Sequence, residues 1–185
     1  MIPPHQHPSE PGGGVILPDR QAAALWVAQR QGAGGRVVVT NGCFDLLHVG
    51  HVRYLAAARS LGDALLVGLN ADASPACHKG PGRPLVGQDE RAEVLAALRC
   101  VDAVTLFAES TAEALLAALR PAVYAKGADY TLPSSDASDL GAVDEARLPE
   151  ARVVRSYGGT VVLLAYHGGH STTALVTRLR GEQPG

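Results

Sequence analysis

The chain has 185 residues, 46% of them apolar and 18% charged, with a formal net charge of −2. That composition suits one globular domain with a core of its own, excludes a disordered chain and leaves no global basic field for nucleic acid. The longest apolar runs are far too short to span a bilayer, so no membrane segment is expected.

Residues 1–16, rich in Pro, Gly and His, have neither the basic nor the apolar region of a signal peptide and read as a disordered tail. His5 and His7 belong to that tail and are not taken as metal ligands. A single domain is expected over 17–182. Asp19 stands where it can cap a helix running to about Gln31, with Ala22, Leu25 and Trp26 on one face. Gly32 to Gly35 then break the chain. Residues 36–40 form a valine-rich strand and 48–61 a helix, with Gly62 as its C-terminal cap. Residues 64–70 form a second strand, whose unbroken apolar run Leu65-Leu66-Val67 implies burial on both faces and hence a parallel sheet.

A Gly/Pro loop over 71–87 leads to a helix over 88–99 and a strand over 103–107. A helix over 111–119 follows, with Thr111 as its expected cap, then a short strand over 122–125. The stretch 130–147 reads as a loop or short helix. Pro149 opens a helix that closes at Gly158-Gly159. Residues 160–165 form a fifth strand, and Ser171 starts a last helix reaching about Arg180. Five alternations of strand and helix predict an α/β protein: a Rossmann-like, doubly wound parallel sheet of five strands with helices on both faces. In such sheets ligands sit beyond the carboxyl ends of the strands, where the strand order switches. The polar oddities of this chain collect there, in 41–51, 70–83, 126–129 and 167–173.

Cys43, Cys77 and Cys100 are odd in number and widely spaced. Neither a disulfide framework nor a zinc knuckle is indicated, and a reducing cytoplasm is the simplest setting. Cys43 reads as a small packed residue with nothing in the sequence to activate it.

The first strand runs into Asn41-Gly42, a pair that permits a tight turn and lets backbone amides approach a ligand. His48 and His51, three apart, share one helical face, and Gly50 between them leaves that face open. With the free N–H groups of a helix start, they describe a seat for phosphate: two imidazole donors, a helix dipole and open backbone. The blander reading makes His48 a helix cap and His51 a surface residue. Half of a metal site is a third reading, but no further ligand of fitting spacing is visible and no metal site is assigned.

Thr40-Asn41-Gly42-Cys43-Phe44-Asp45 followed by His48-Val49-Gly50-His51 resembles the signature of the nucleotidyltransferase α/β-phosphodiesterase superfamily, the cytidylyltransferase-like fold. Val67-Gly68-Leu69-Asn70-Ala71-Asp72 with Lys79-Gly80 and Arg83-Pro84 resembles its triphosphate-holding loop. Ala125-Lys126-Gly127-Ala128-Asp129-Tyr130 resembles a Lys-Gly-Gly-Asp-Tyr segment. Gly169-His170-Ser171-Thr172-Thr173 resembles the Gly-Cys-Ser-Thr-Thr turn before the last helix. Together, over about 36–180, these are similar to the adenylyltransferases that make ADP-heptose from D-glycero-D-manno-heptose 1-phosphate, here expected in the form without a sugar-kinase domain. His170 in place of cysteine, and a long 132–148 stretch, depart from that pattern. The glycerol-3-phosphate cytidylyltransferase type fits less well, because Tyr166-His167 stand where that group carries Arg-Thr. A non-catalytic nucleotide-binding module of the same fold is the remaining alternative, against which the intact imidazole pair speaks.

The resemblance implies direct transfer of AMP from ATP, with Mg2+ accompanying the nucleotide, to a sugar 1-phosphate, by a homodimer that needs no covalent intermediate. It implies His48, His51 and Lys79 as catalytic residues. Asn41, Gly42, Cys43, Phe44, Gly50, Lys126, Ser171, Thr172 and Thr173 are the nucleotide-binding set. Asp45, Asn70, Asp72 and Arg83 are candidates for substrate contacts, each with a structural alternative: Arg83 forks onto phosphate or staples its loop, and Asn70 and Asp72 bond hydroxyls or shape the turn. Arg91, on a helix, reads as an ordinary salt-bridge residue.

Overall fold

The computed structural model describes residues 13–78, 82–127 and 143–165. Lys79, the 169–173 turn and most of the 130–147 stretch lie outside them. Six strands form one sheet, β1 (Val15–Leu17), β2 (Val37–Gly42), β3 (Ala64–Asn70), β4 (Ala103–Phe107), β5 (Val123–Gly127) and β6 (Thr160–Leu164), in the order β1-β4-β3-β2-β5-β6. Every pairing is parallel. The helices are α1 (Arg20–Gly32), α2 (Val49–Arg59), α3 (Gln88–Ala96), α4 (Glu113–Leu119) and α5 (Glu150–Ser156). The doubly wound parallel architecture is the one expected.

The sixth strand, β1, is the difference. Val15 and Ile16, read as tail, pair with Ala103 and Val104 of β4. Three residues are too few for a period to show; β1 exists because β4 offers it an edge. Gly14 donates its N–H to Ala96 O at 2.8 Å, and a Cβ on it would lie 2.5 Å from Val101 O.

Two local expectations are corrected: Leu25 of α1 is exposed, the inner face being Ala23, Trp26 and Val27, and α2 ends at Arg59 with Ser60 rather than Gly62 as its cap. Asp19 caps α1, its carboxylate accepting from Ala22 N at 2.8 Å. All seven residues of β3 are buried, as its apolar run implies. One core lies on the face covered by α1, α4 and α5, around Val39, Leu66, Leu115, Leu116 and Tyr124. The other lies beneath α2 and α3, around Val38, Leu65, Val67, Leu55 and Leu95. Gly68 is required by the first of these: a Cβ there would come within 2.7 Å of Leu115 Cδ2. α4 starts two residues later than expected. The Thr111 hydroxyl turns to the Glu113 carboxylate, and the buried Glu150 of α5 accepts from Ala112 N at 3.0 Å.

The chain winds outward from β2 through β3 to β4, then returns across β2 to β5 and β6, so the order switches between β2 and β5. β2 pairs with β3 along its whole length, from Val37↔Ala64 to Gly42↔Leu69, but with β5 only at Val38↔Val123 and Val39↔Tyr124. Beyond Val39 and Tyr124 the two strands part, and side chains bridge the gap. The Tyr54 hydroxyl bonds Thr40 Oγ1 at 2.7 Å and donates to Ala125 O at 3.1 Å. Lys126 Nζ donates to Asn41 Oδ1 at 2.8 Å and to Asn41 O at 3.2 Å, and Tyr124 OH lies 2.6 Å from the same Oδ1. The opening lies at the switch point, where ligands of such sheets bind.

Candidate active site

From Gly42 the chain turns through Cys43 and Phe44 to α2. Phe44 has φ of 46°, a left-handed conformation unusual for a residue with a side chain. Its ring is buried and closes over Gly42, where a Cβ would lie 3.0 Å from Phe44 Cε2. The edge of that ring meets His51, centroids 5.3 Å apart and planes at 65°. His48 is the N-cap of α2, its Nδ1 accepting from Gly50 N at 3.1 Å. The two imidazoles stack, with centroids 3.9 Å apart and planes 24° from parallel. Both readings of His48 therefore hold at once: the ring caps the helix and belongs to the pair. His51 is half-buried and not a plain surface residue.

Because Nδ1 of His48 accepts, the neutral ring carries its proton on Nε2, which is then the donor it can offer a ligand. Burial lowers the His51 pKa from 6.5 to about 4, helped by the charge that His48 can carry and opposed by a hydrogen bond with the Leu46 backbone. At neutral pH His51 is an uncharged imidazole. Its Nδ1 is buried with no hydrogen-bond partner among the described residues. The Leu46 backbone is the polar group beside the ring, and it offsets part of the cost of burying an imidazole nitrogen, about 1–3 kcal/mol for an unpaired one.

One expectation is corrected. The first-turn amides of α2 are not all open to phosphate: Gly50 N is taken by the His48 ring, and His51 N and Val52 N donate to His48 O. The seat depends more on side-chain donors and less on the helix start than the sequence suggests.

The flanking loops are built from committed groups. Asp45 accepts from Arg83 at 2.5 Å, from Leu85 N at 2.7 Å and from Val86 N at 3.1 Å. Burial alone would raise its pKa, but those hydrogen bonds and the Arg83 charge hold it below the usual carboxylate range. Arg83 is therefore the staple of its loop. Asn70 is buried, its amide donating to Ser74 Oγ at 3.1 Å, and Asp72 exchanges hydrogen bonds with Gln88 at the start of α3. Both shape the turn after β3. Lys126 and Asn41 are bonded to each other across the strand opening.

Arg91 organises these loops, and the sequence reading undervalues it. Its side chain is 1% exposed. It donates to Val86 O at 2.9 Å, Cys43 O at 2.5 Å, Asn70 O at 3.0 Å and Asp72 Oδ1 at 2.5 Å. The signal was available: Arg91 lies four residues before Leu95, on the core-facing stripe of α3, where an arginine must have a structural purpose.

A second correction concerns the cysteines. Cys43 and Cys77 form a disulfide, with Cα atoms 5.5 Å apart and a sequence separation of 34. Spacing cannot reveal such a pair, because the fold brings it together. Cys100 is free, and burial raises its thiol pKa. Among the described residues no cluster of three or more His, Cys, Asp or Glu could hold a metal, and no helix is long and apolar enough to cross a membrane.

Comparison with known proteins adds three findings. The model of a family described as cytidylyltransferase-like matches residues 39–178. The chain is 52% identical over 153 residues to the bifunctional protein HldE of Geobacter sulfurreducens, a match covering 83% of this chain and 29% of that protein. It is 47% identical over 164 residues to the protein of the same name from Streptomyces coelicolor, covering 89% and 33% respectively. The chain thus spans about a third of the length of the curated relatives it matches. Among solved structures it is similar to the lipopolysaccharide core biosynthesis protein of Thermoplasma volcanium, with a TM-score of 0.54 and 25% identity over 74% of this chain and 100% of that one.

Proposed function

The chain belongs to the cytidylyltransferase-like family and is a nucleotidyltransferase; from that premise we propose that it transfers AMP from ATP to a sugar 1-phosphate, D-glycero-D-manno-heptose 1-phosphate, releasing pyrophosphate and ADP-heptose. The observation that carries the reading is the stacked, half-buried pair His48 and His51 at the start of α2, beside the opening between β2 and β5. The similarity to a lipopolysaccharide core protein supports a sugar phosphate as acceptor.

In this reading an oxygen of the acceptor phosphate attacks the α-phosphorus of ATP in line, and pyrophosphate leaves. Nothing on the protein needs to become covalently attached; catalysis is positioning and charge stabilisation. His48 donates from Nε2 to a phosphate oxygen while its Nδ1 remains bonded to Gly50 N. His51, neutral and with Nδ1 buried, offers a directed hydrogen bond from Nε2 that strengthens as charge builds on the bridging oxygen. Phe44 packs against His51 and restricts the tilt of its ring. Lys79 and Ser171 to Thr173 contact the triphosphate, on the strength of the family resemblance. Magnesium, where it accompanies the triphosphate, would offset its charge; the loop carboxylates Asp45 and Asp72 are held by Arg83 and Arg91.

The test is direct. The purified protein is incubated with each nucleoside triphosphate against a panel of phosphorylated acceptors, and pyrophosphate release is measured. ATP with the heptose 1-phosphate gives the highest kcat/KM. A higher value for CTP with glycerol 3-phosphate would overturn the acceptor and the base together while leaving the family intact.

A further inference from the structure

We infer that Cys43 and Cys77 are a reversible thiol–disulfide site whose oxidation state sets the affinity of the phosphate seat for a nucleoside triphosphate. The inference rests on the reading that this edge of the sheet binds nucleotide, and it concerns two sulfurs with no bond-making part in transfer, although Cys43 belongs to the expected nucleotide-binding set.

The placement of the pair carries the argument. Cys43 follows Gly42 at the end of β2 and precedes Phe44, the residue that touches His51. Cys77 ends the short 3-10 turn Pro75–Cys77 that follows β3. The bond therefore ties together the two loops that leave neighbouring strands at the ligand-facing edge. Their Cα separation of 5.5 Å lies within the ordinary range for a disulfide.

A second feature makes the bond reversible without unfolding. The two backbones are also joined by Arg91, one nitrogen of which donates to both Cys43 O and Asn70 O. Asn70 O also lies 3.7 Å from Cys77 Sγ. When the sulfur bond is cut, this clamp keeps the two thiols as neighbours, ready to re-form it. Cys43 is half-buried and Cys77 buried, so a small reagent meets Cys43 first. Cys100 lies at the amino end of β4, on the opposite edge of the sheet, and takes no part.

With a small-molecule disulfide RSSR as oxidant, the steps balance. The Cys43 thiolate attacks one sulfur of RSSR and expels RS−, forming a mixed disulfide. The Cys77 thiolate then attacks the Cys43 sulfur and expels the second RS−. Two protons lost by the protein thiols end on two RSH, and the two electrons lost by the protein sulfurs reduce RSSR. A small thiol runs the same steps backwards. Closed, the bond holds the turn bearing Phe44 in its binding conformation; open, Arg91 still holds the Cys43 carbonyl, but the side-chain tie is gone and ATP must order the rest of that turn as it binds, which weakens affinity.

The test uses the full chain. Thiols are counted under denaturing conditions before and after reduction, and ATP binding is measured by calorimetry, without acceptor, in both states and after re-oxidation with oxidised glutathione. The expected result is one thiol before reduction and three after it. ATP Kd rises about fivefold on reduction and recovers on re-oxidation. Cys77→Ala, with Cys77→Ser as a second variant, binds ATP with the reduced affinity and ignores the redox state; Cys100→Ser responds as the parent does. Three thiols in protein already treated with oxidised glutathione would overturn the proposal, and so would a bond that opens and closes without changing Kd. Failure of the transfer reading registers separately, as redox-dependent ATP binding without turnover on any acceptor.

Discussion

Two buried nitrogen groups at the carboxyl edge of the sheet are treated in opposite ways. The guanidinium of Arg91 meets four acceptors on three stretches of chain. Nδ1 of His51 meets none among the described residues, although its burial is enough to hold the ring neutral down to about pH 4. The loops around Arg91, Asp45 and Asp72 consume their own polarity and have little left for a ligand. The β2–α2 corner keeps Phe44 in a left-handed conformation and a half-buried imidazole pair.

The sharpest way to break this contrast is to truncate one member of each region. His51→Ala lowers turnover about 10²–10³-fold while changing ATP Kd and Tm little, because the lost hydrogen bond belongs to the transition state. Steady-state kinetics beside calorimetric binding checks it; a normal kcat would remove the imidazole pair from the mechanism. Arg91→Met should do the reverse. It leaves the carbonyls of Cys43, Asn70 and Val86 without their donor and costs about 2–4 kcal/mol of stability, read by urea unfolding. If it unfolds at the parental midpoint, the loops do not depend on that clamp.

A third, smaller effect is a matter of pH. Above about pH 6.5 His51 is neutral in folded and unfolded chains alike, and its contribution to stability is whole. Between pH 6.5 and about 4 the unfolded chain binds a proton that the folded one refuses, and stability falls. Allowing for solvent that reaches the ring, the loss is about 1–2 kcal/mol, and His51→Gln should flatten the curve in that window. The smallest effect is expected from Asp45→Asn, about 1 kcal/mol, because the amide oxygen still accepts from Leu85 N and Val86 N, which share one carboxylate oxygen, but the side chain no longer balances Arg83. Tm measured at pH 7 resolves it.

Much of this arrangement was visible in the residues alone. The unbroken apolar run of β3, the Asp19 cap and the two histidines three apart each act over a few neighbours, and local chemistry suffices to read them. Other features depend on distant chain. β1 becomes a strand only when β4 lies alongside it. The Cys43–Cys77 bond joins residues that no spacing rule connects. The engagement of Gly50 N by the ring of His48 depends on a rotamer, so the helix start looked more open in sequence than it is in space. Arg91 forms the ion pair expected of it, with Asp72, and its place on the inner stripe of α3 is the local signal for its further bonds.

The pairing of β2 with β5 at Val38↔Val123 and Val39↔Tyr124 has a dynamic consequence. The sheet amounts to a ribbon of four strands and a ribbon of two, laced together by a short seam. Partial opening begins along that seam, so the amides of β5 and β6 exchange with solvent sooner than those of β3, and by the same movement. A bound nucleotide spanning the seam would close it, and slowed deuterium uptake in 123–127 would report nucleotide binding without any chemistry taking place.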